Sequence, residues 1–121
     1  MQAFFIAFPA ADYDQSKRFY EQALRLPILR EHQGEPHRCT NYDFSGLILK
    51  VYEWLAPYHG NGHTGLGIAT DDLDDAVERV ARFGAAVTEP EVHPWGGRCA
   101  SVTDPFGNIF TLIAARQKGD A

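Results

Sequence analysis

Two rhythms run through this chain of 121 residues. Phe4-Phe5-Ile6-Ala7-Phe8-Pro9-Ala10 is an apolar run of strand length, with β-branched and aromatic residues prominent. From Asp12 the spacing changes, and Phe19, Tyr20, Ala23 and Leu24 recur on one face of a helix that Pro27 closes. Strand character then returns in Ile28–His32, Arg38–Phe44 and Leu47–Trp54. The same order is written again. Thr64–Thr70 reads as a strand, and Leu73, Ala76, Val77, Val80 and Phe83 form the apolar face of a second helix that ends at Gly84. Ala86–Val92, Arg98–Thr103 and Asn108–Ala114 supply three further strands.

The two halves match in detail at an offset of about sixty residues. Asp12 and Asp72 are natural N-caps, each followed by acidic residues that suit the positive end of a helix. The third and fourth strands of each half meet at a Gly-containing turn, Asp43-Phe44-Ser45-Gly46 and then Asp104-Pro105-Phe106-Gly107. Arg38-Cys39 recurs as Arg98-Cys99. The chain is therefore expected to fold as one α+β domain over 1–121, built from two βαβββ modules. Module one covers 1–55, a linker with Pro57, Gly60 and Gly62 covers 56–62, module two covers 63–115, and 116–121 form a polar tail. Two such sheets are expected to curve into an open half-barrel with the helices outside.

Strand alternation sorts the side chains into two sets. Phe4, Ile6, Phe8, Leu49, Val51, Leu66, Ile68, Phe110 and Leu112 should face the helices. Phe5, Ala7, Ile48, Lys50, Tyr52, Gly65, Gly67, Ala69, Ile109, Thr111 and Ile113 should face the cavity. The bulk numbers narrow the field. A net charge of −5 with no basic face argues against a nucleic-acid partner. No apolar run reaches the ~20 residues of a membrane helix. The apolar N-terminus lacks a basic region before it and reads as a strand rather than a signal peptide. Two cysteines suit a reducing, cytoplasmic setting.

Paired βαβββ modules ending in Asp104-Pro105-Phe106-Gly107-Asn108-Ile109-Phe110 resemble the vicinal oxygen chelate superfamily, which includes glyoxalase I, bleomycin-resistance proteins, fosfomycin-resistance proteins and extradiol dioxygenases. The resemblance extends through 12–27, 71–87 and His93-Pro94-Trp95-Gly96-Gly97-Arg98. It implies the glyoxalase/bleomycin resistance fold, and a homodimer with its grooves at the subunit boundary. In the enzymes of that family, the first and fourth strands of each module hold a divalent metal. Those slots map to Phe5, Lys50, Gly65 and Thr111. A catalytic metal takes about three imidazole or carboxylate ligands at about 2 Å. Phenylalanine and glycine offer no ligand atom, threonine a weak one, and lysine a competing charge. Shifting the frame by two residues adds only His63 as a credible ligand. No metal and no other cofactor is expected.

The cavity-facing set then becomes a candidate binding surface. Lys50, taken out of water, must find a partner, keep some water or lose its proton. It could anchor a carboxylate or phosphate of a ligand, move a proton, or pair internally with Glu53, Glu89 or Glu91. Trp54, Tyr58 and Trp95 would gather at the mouth as stacking surfaces or as plugs of a dimer interface. Arg98 could hold an anion or pair with a nearby acid. His37, His59, His63 and His93 are scattered through loops and strand ends, and Cys39 and Cys99 read as small buried hydrophobes rather than nucleophiles.

Phe5, Lys50, Tyr52, Trp54, Trp95, Arg98 and Thr111 make up the expected ligand-binding set, with Lys50 the candidate for any catalysis. Three readings follow. The favoured one is a metal-independent protein that sequesters a small organic ligand, anionic or aromatic, such as a drug or metabolite. The others are a metal-dependent glyoxalase-type lyase, isomerase or thiol transferase, and a metal-free enzyme using Lys50 with Tyr52 or Thr111. Ligand identity, and whether the modules swap between chains, stay open at this point.

Overall fold

The computed structural model describes residues 1, 4–35, 37–54, 60–93 and 97–115. The first module contains β1 (Phe5–Ala10), α1 (Tyr13–Arg18), β2 (Ile28–His32), β3 (Cys39–Phe44) and β4 (Leu47–Glu53). The second contains β5 (Gly62–Thr70), α2 (Leu73–Arg82), β6 (Ala86–Val87), β7 (Glu91–Val92), β8 (Arg98–Thr103) and β9 (Asn108–Ala114). Sheet one runs β1-β4-β3-β2 and sheet two β5-β9-β8-β6, with β7 also on β8. The first strand of each half runs parallel to the last, and the remaining pairs are antiparallel. The fold is mixed α+β with two open sheets, as the repeat implied. None of the described helices is long and apolar enough to cross a membrane.

One face of each sheet is buried in a single shared core. Phe8, Leu49, Val51, Val102, Phe110 and Leu112 project from the sheets onto Phe19, Tyr20, Ala23, Leu73, Ala76 and Val80 of the helical segments. At about 1.5–3 kcal/mol for each large apolar side chain buried, this layer is the main favourable term. Asp12 and Asp72 cap their helices by accepting from the N–H groups of Gln15 and Asp75, both at 3.0 Å. The first helix widens after Arg18 into a π-helical turn, Phe19–Ala23, in which the Leu24 N–H reaches back to the Phe19 carbonyl. That turn carries Phe19, Tyr20 and Ala23 into the core together. The Arg79 Nε–H of α2 donates to the Ala23 carbonyl at 2.6 Å and ties the two helical segments.

Three sequence expectations need correction. Phe4 precedes β1 and its side chain is 67% exposed, although its carbonyl accepts the Ile48 N–H of β4 at 3.1 Å. Ala86–Val92 forms two short strands instead of one. Three residues separate Val87 from Glu91 while two separate their partners Val102 and Cys99, so the strand bulges around Pro90, which has no N–H to donate. Leu47–Trp54 ends at Glu53.

The two modules are locked by buried polar groups around the second hairpin. Asp104 Oδ1 accepts the N–H groups of Phe106 (2.8 Å) and Asn108 (3.0 Å), which closes the turn. Its Oδ2 accepts from the Tyr20 hydroxyl at 2.6 Å and from Asn108 Nδ2 at 2.8 Å. Asn108 Nδ2 also donates to the Pro9 carbonyl of β1, and Asn108 Oδ1 accepts the Asn61 N–H. Asp104 and Asn108 are both buried, so every partner lost is a desolvation penalty uncovered.

Asn108→Ala removes three of these bonds and should cost about 2–3 kcal/mol in urea unfolding at unchanged denaturant slope. Burial, and then the Asp104 carboxylate, push the Tyr20 hydroxyl well above the ordinary tyrosine range. A group raised in the folded state gives its full stabilisation below its unfolded pKa, near 10.0 for tyrosine, and loses it as pH climbs beyond. Stability should therefore fall above about pH 10, with tyrosinate absorbance from Tyr20 appearing only on unfolding. Tyr20→Phe should flatten that alkaline decline.

Candidate functional site

The uncovered faces of the two sheets form the candidate site. In sheet one, residues directly opposite one another define cross-strand rows. Ala7 of β1, Lys50 of β4, Asn41 of β3 and Arg30 of β2 lie in one row. Pro9, Tyr52, Cys39 and His32 lie in the next. Sheet two repeats the scheme: Gly67, Thr111 and Ser101 form a row, and Ala69, Ile113, Cys99 and Glu91 the adjoining one. Lys50 and Thr111 thus occupy equivalent stations, each on the last strand of its module and flanked by a small residue on the first strand. Cys39 and Cys99 are equivalent in the same sense, and both are unpaired thiols.

Each open face bears its own cavity. That of sheet one measures about 200 Å³ and is lined by Arg30, His32, Cys39 and Asn41. That of sheet two measures about 410 Å³, with Cys99, Ser101 and Thr111 on its floor and Thr88, Glu89, Glu91 and His93 around them. The reading of Cys39 and Cys99 as small buried hydrophobes needs correction, because both are partly exposed and line the cavities beside Asn41 and Ser101, which the sequence did not single out. Arg30 and His32 escaped notice because β2 is exposed at all five residues and has no apolar face to reveal its orientation.

The sequence-predicted residues divide between these faces. Lys50 Nζ stands 4.9 Å above the Phe5 ring, a cation–π contact on a half-exposed aromatic. No ion pair or hydrogen bond engages its ammonium among the described residues. Glu53 is instead held by Arg38, whose Nε and terminal nitrogen donate to its two carboxylate oxygens at 3.2 and 2.7 Å. Those bonds hold the Glu53 carboxyl below its usual range. Glu89 and Glu91 lie on the other sheet's cavity.

Tyr52 and Trp54 meet edge to face at 6.2 Å, and His37 approaches Tyr52 at 5.5 Å. They form an aromatic wall one row from Lys50. Arg98 has the opposite parity to Cys99 and reaches Asp74 of α2 at 2.7 Å. That bond raises its guanidinium further above the ordinary value. Thr111 lines the sheet-two cavity. Trp95, Tyr58 and His59 lie outside the described residues, as do 55–59 of the linker region and the tail 116–121.

The residues at the four slots do not fit a metal. Phe5 and Gly65 supply no donor, Lys50 brings a cation, and Thr111 has only a hydroxyl. Gly65 is also constrained by backbone. It has φ +73° within a bulge of β5, where the register shifts between His63 and Gly67, and the Thr64 hydroxyl donates to the Ile109 carbonyl and accepts the Leu66 N–H. Left-handed backbone favours glycine, so a histidine or glutamate is disfavoured at this slot irrespective of any metal. Among the described residues, no group of three or more His, Cys, Asp or Glu is placed to hold a metal ion.

The family model for the Glyoxalase/Bleomycin resistance protein/Dioxygenase superfamily matches residues 4–112. A probable chloroplastic lactoylglutathione lyase of Arabidopsis thaliana is 27% identical over 119 residues, spanning 89% of this chain. The chain spans only about a third of that relative, 34% of its length. An antibiotic binding protein of Streptomyces superposes with a TM-score of 0.72 at 26% identity, covering 96% of this chain and 97% of its own. Glyoxalase I from Zea mays superposes with a TM-score of 0.80 at 21% identity, over 96% of this chain and 45% of its own, which is a likeness of fold.

Gly65→His should destabilise the protein by about 1–2 kcal/mol through its left-handed backbone, since nothing lies within 4 Å of an added Cβ. Gly60→Ala should cost more, because its Cβ would sit 2.4 Å from the Phe106 carbonyl oxygen at φ +82°. Urea denaturation of the two variants checks the order.

Proposed function

The chain belongs to the glyoxalase/bleomycin resistance protein/dioxygenase superfamily, and on that footing we propose that it binds a small organic molecule without a metal. The observation that carries this reading is the side-chain set Phe5, Lys50, Gly65 and Thr111 at the family's four metal slots. What remains on those strands is suited to holding a guest by contact and charge. Phe5, Tyr52 and Trp54 offer aromatic surface, Lys50 an ammonium free of carboxylate partners among the described residues, and Thr111 a hydroxyl. Trp95 completes the proposed set, and Arg98 joins it only by releasing its partner Asp74. The ligand is anionic or aromatic, and the role is sequestration of a drug or metabolite in the cytoplasm.

The working unit in this reading is a homodimer. Both cavities are open, and sheet one ends at β2, an exposed edge. Phe4, Phe5, Ile28, Leu29, Trp54 and Val92 leave large apolar side chains in water. A second copy would cover such edges and apolar patches at once.

A thermal-shift panel of aromatic acids, aromatic bases and neutral aromatics, run in the presence of EDTA, tests the reading. At least one class should raise Tm, with light scattering giving the mass of two chains. A panel without response, or binding that EDTA abolishes, would overturn it.

A further inference from the structure

On the binding reading just given, we infer that the guest is an aromatic acid, whose carboxylate or phosphate is held across sheet one by Arg30, Asn41 and Lys50. These three stand side by side on β2, β3 and β4, in one row of the open face. Adjacent strands are about 4.8 Å apart, so the Cα atoms of Arg30 and Lys50 are roughly 10 Å apart with Asn41 midway. Lys50 Nζ rests over the Phe5 ring, and the flexible side chains of both cations have the length to reach an anion seated over Asn41.

Three observations support the assignment. The first is charge left unspent. Lys17, Arg38, Arg79, Arg82 and Arg98 each pair with a carboxylate, whereas Arg18, Arg25, Arg30 and Lys50 pair with none among the described residues, and of these four only Arg30 and Lys50 share a cross-strand row. The chain carries 16 acids against 11 lysines and arginines, so two unpaired cations in one row are not explained by a shortage of partners. The second is an orphan. Asn41 Oδ1 is a buried side-chain oxygen without a hydrogen-bond partner among the described residues, and such a group costs stability until it is satisfied. An anion over the amide nitrogen draws both cations inward, and either one can then donate to Oδ1 as well as to the anion. The third is the aromatic wall. Tyr52 lies two residues beyond Lys50 on the same strand face, about 7 Å away, and Trp54 follows it. One row would hold the acid, and the aromatic residues of the next would meet the ring.

Calorimetric titration with phenyl phosphate tests this, beside benzyl alcohol as the ring without charge and inorganic phosphate as the headgroup alone. Phenyl phosphate should bind saturably, and each fragment at least about tenfold more weakly. Arg30→Gln and Lys50→Gln should each weaken phenyl phosphate about tenfold and flatten its salt dependence. Arg82→Gln, on the exposed side of α2, should leave it unchanged, with Tm of every variant confirming the fold. Equal binding of benzyl alcohol, or unaltered affinity in both row variants, would overturn the inference and leave the binding reading standing. Silence from phenyl phosphate and from every class of the thermal-shift panel would remove both.

Discussion

The junction of Asp104 with Asn108 is the constraint on which this molecule turns. One carboxylate closes the second hairpin with two backbone bonds and still accepts from Tyr20 of the other module. Asn108 spends its amide on Asp104, on the Pro9 carbonyl and on the Asn61 N–H. A hairpin at the end of the chain is thus bonded to the first strand, to the widened first helix and to the start of β5. Because these groups are buried, the arrangement is tolerated only when fully satisfied, which selects one relative placement of the two halves.

That placement decides what the open faces can do. Both modules turn their helices into a common core, so both sheets present their second face outward. Side chains on those faces are released from packing and free to vary in chemistry. The two halves have diverged there: Lys50 answers to Thr111, Asn41 to Ser101, and Arg30 faces one cavity while Glu89 and Glu91 face the other. The repeat is kept in the core, and the two halves differ in chemistry on their open faces.

Much of this was legible in the sequence because it is periodic. The sixty-residue offset placed both caps, both hairpin turns and the equivalence of Cys39 with Cys99. Alternation assigned Phe8, Leu49, Val51, Phe110 and Leu112 to the core, where they lie. What escaped was irregular. The π-turn after Arg18 leaves the apolar spacing unchanged, the bulge at Pro90 breaks a strand whose composition is continuous, and β2 has no buried face to declare which way Arg30 points. The partners of Arg38 and Arg98 were equally hidden, since ion pairs between distant segments leave no trace in spacing.

The central claim is chemical: the four stations that could converge on a cation hold phenylalanine, lysine, glycine and threonine. Anomalous diffraction from crystals grown with excess Mn²⁺, Ni²⁺ or Zn²⁺ addresses it directly. The account predicts no anomalous peak bonded to any residue of the open faces, with Lys50 in place above Phe5. A well-occupied ion bonded among the side chains of β1, β4, β5 and β9 would contradict it.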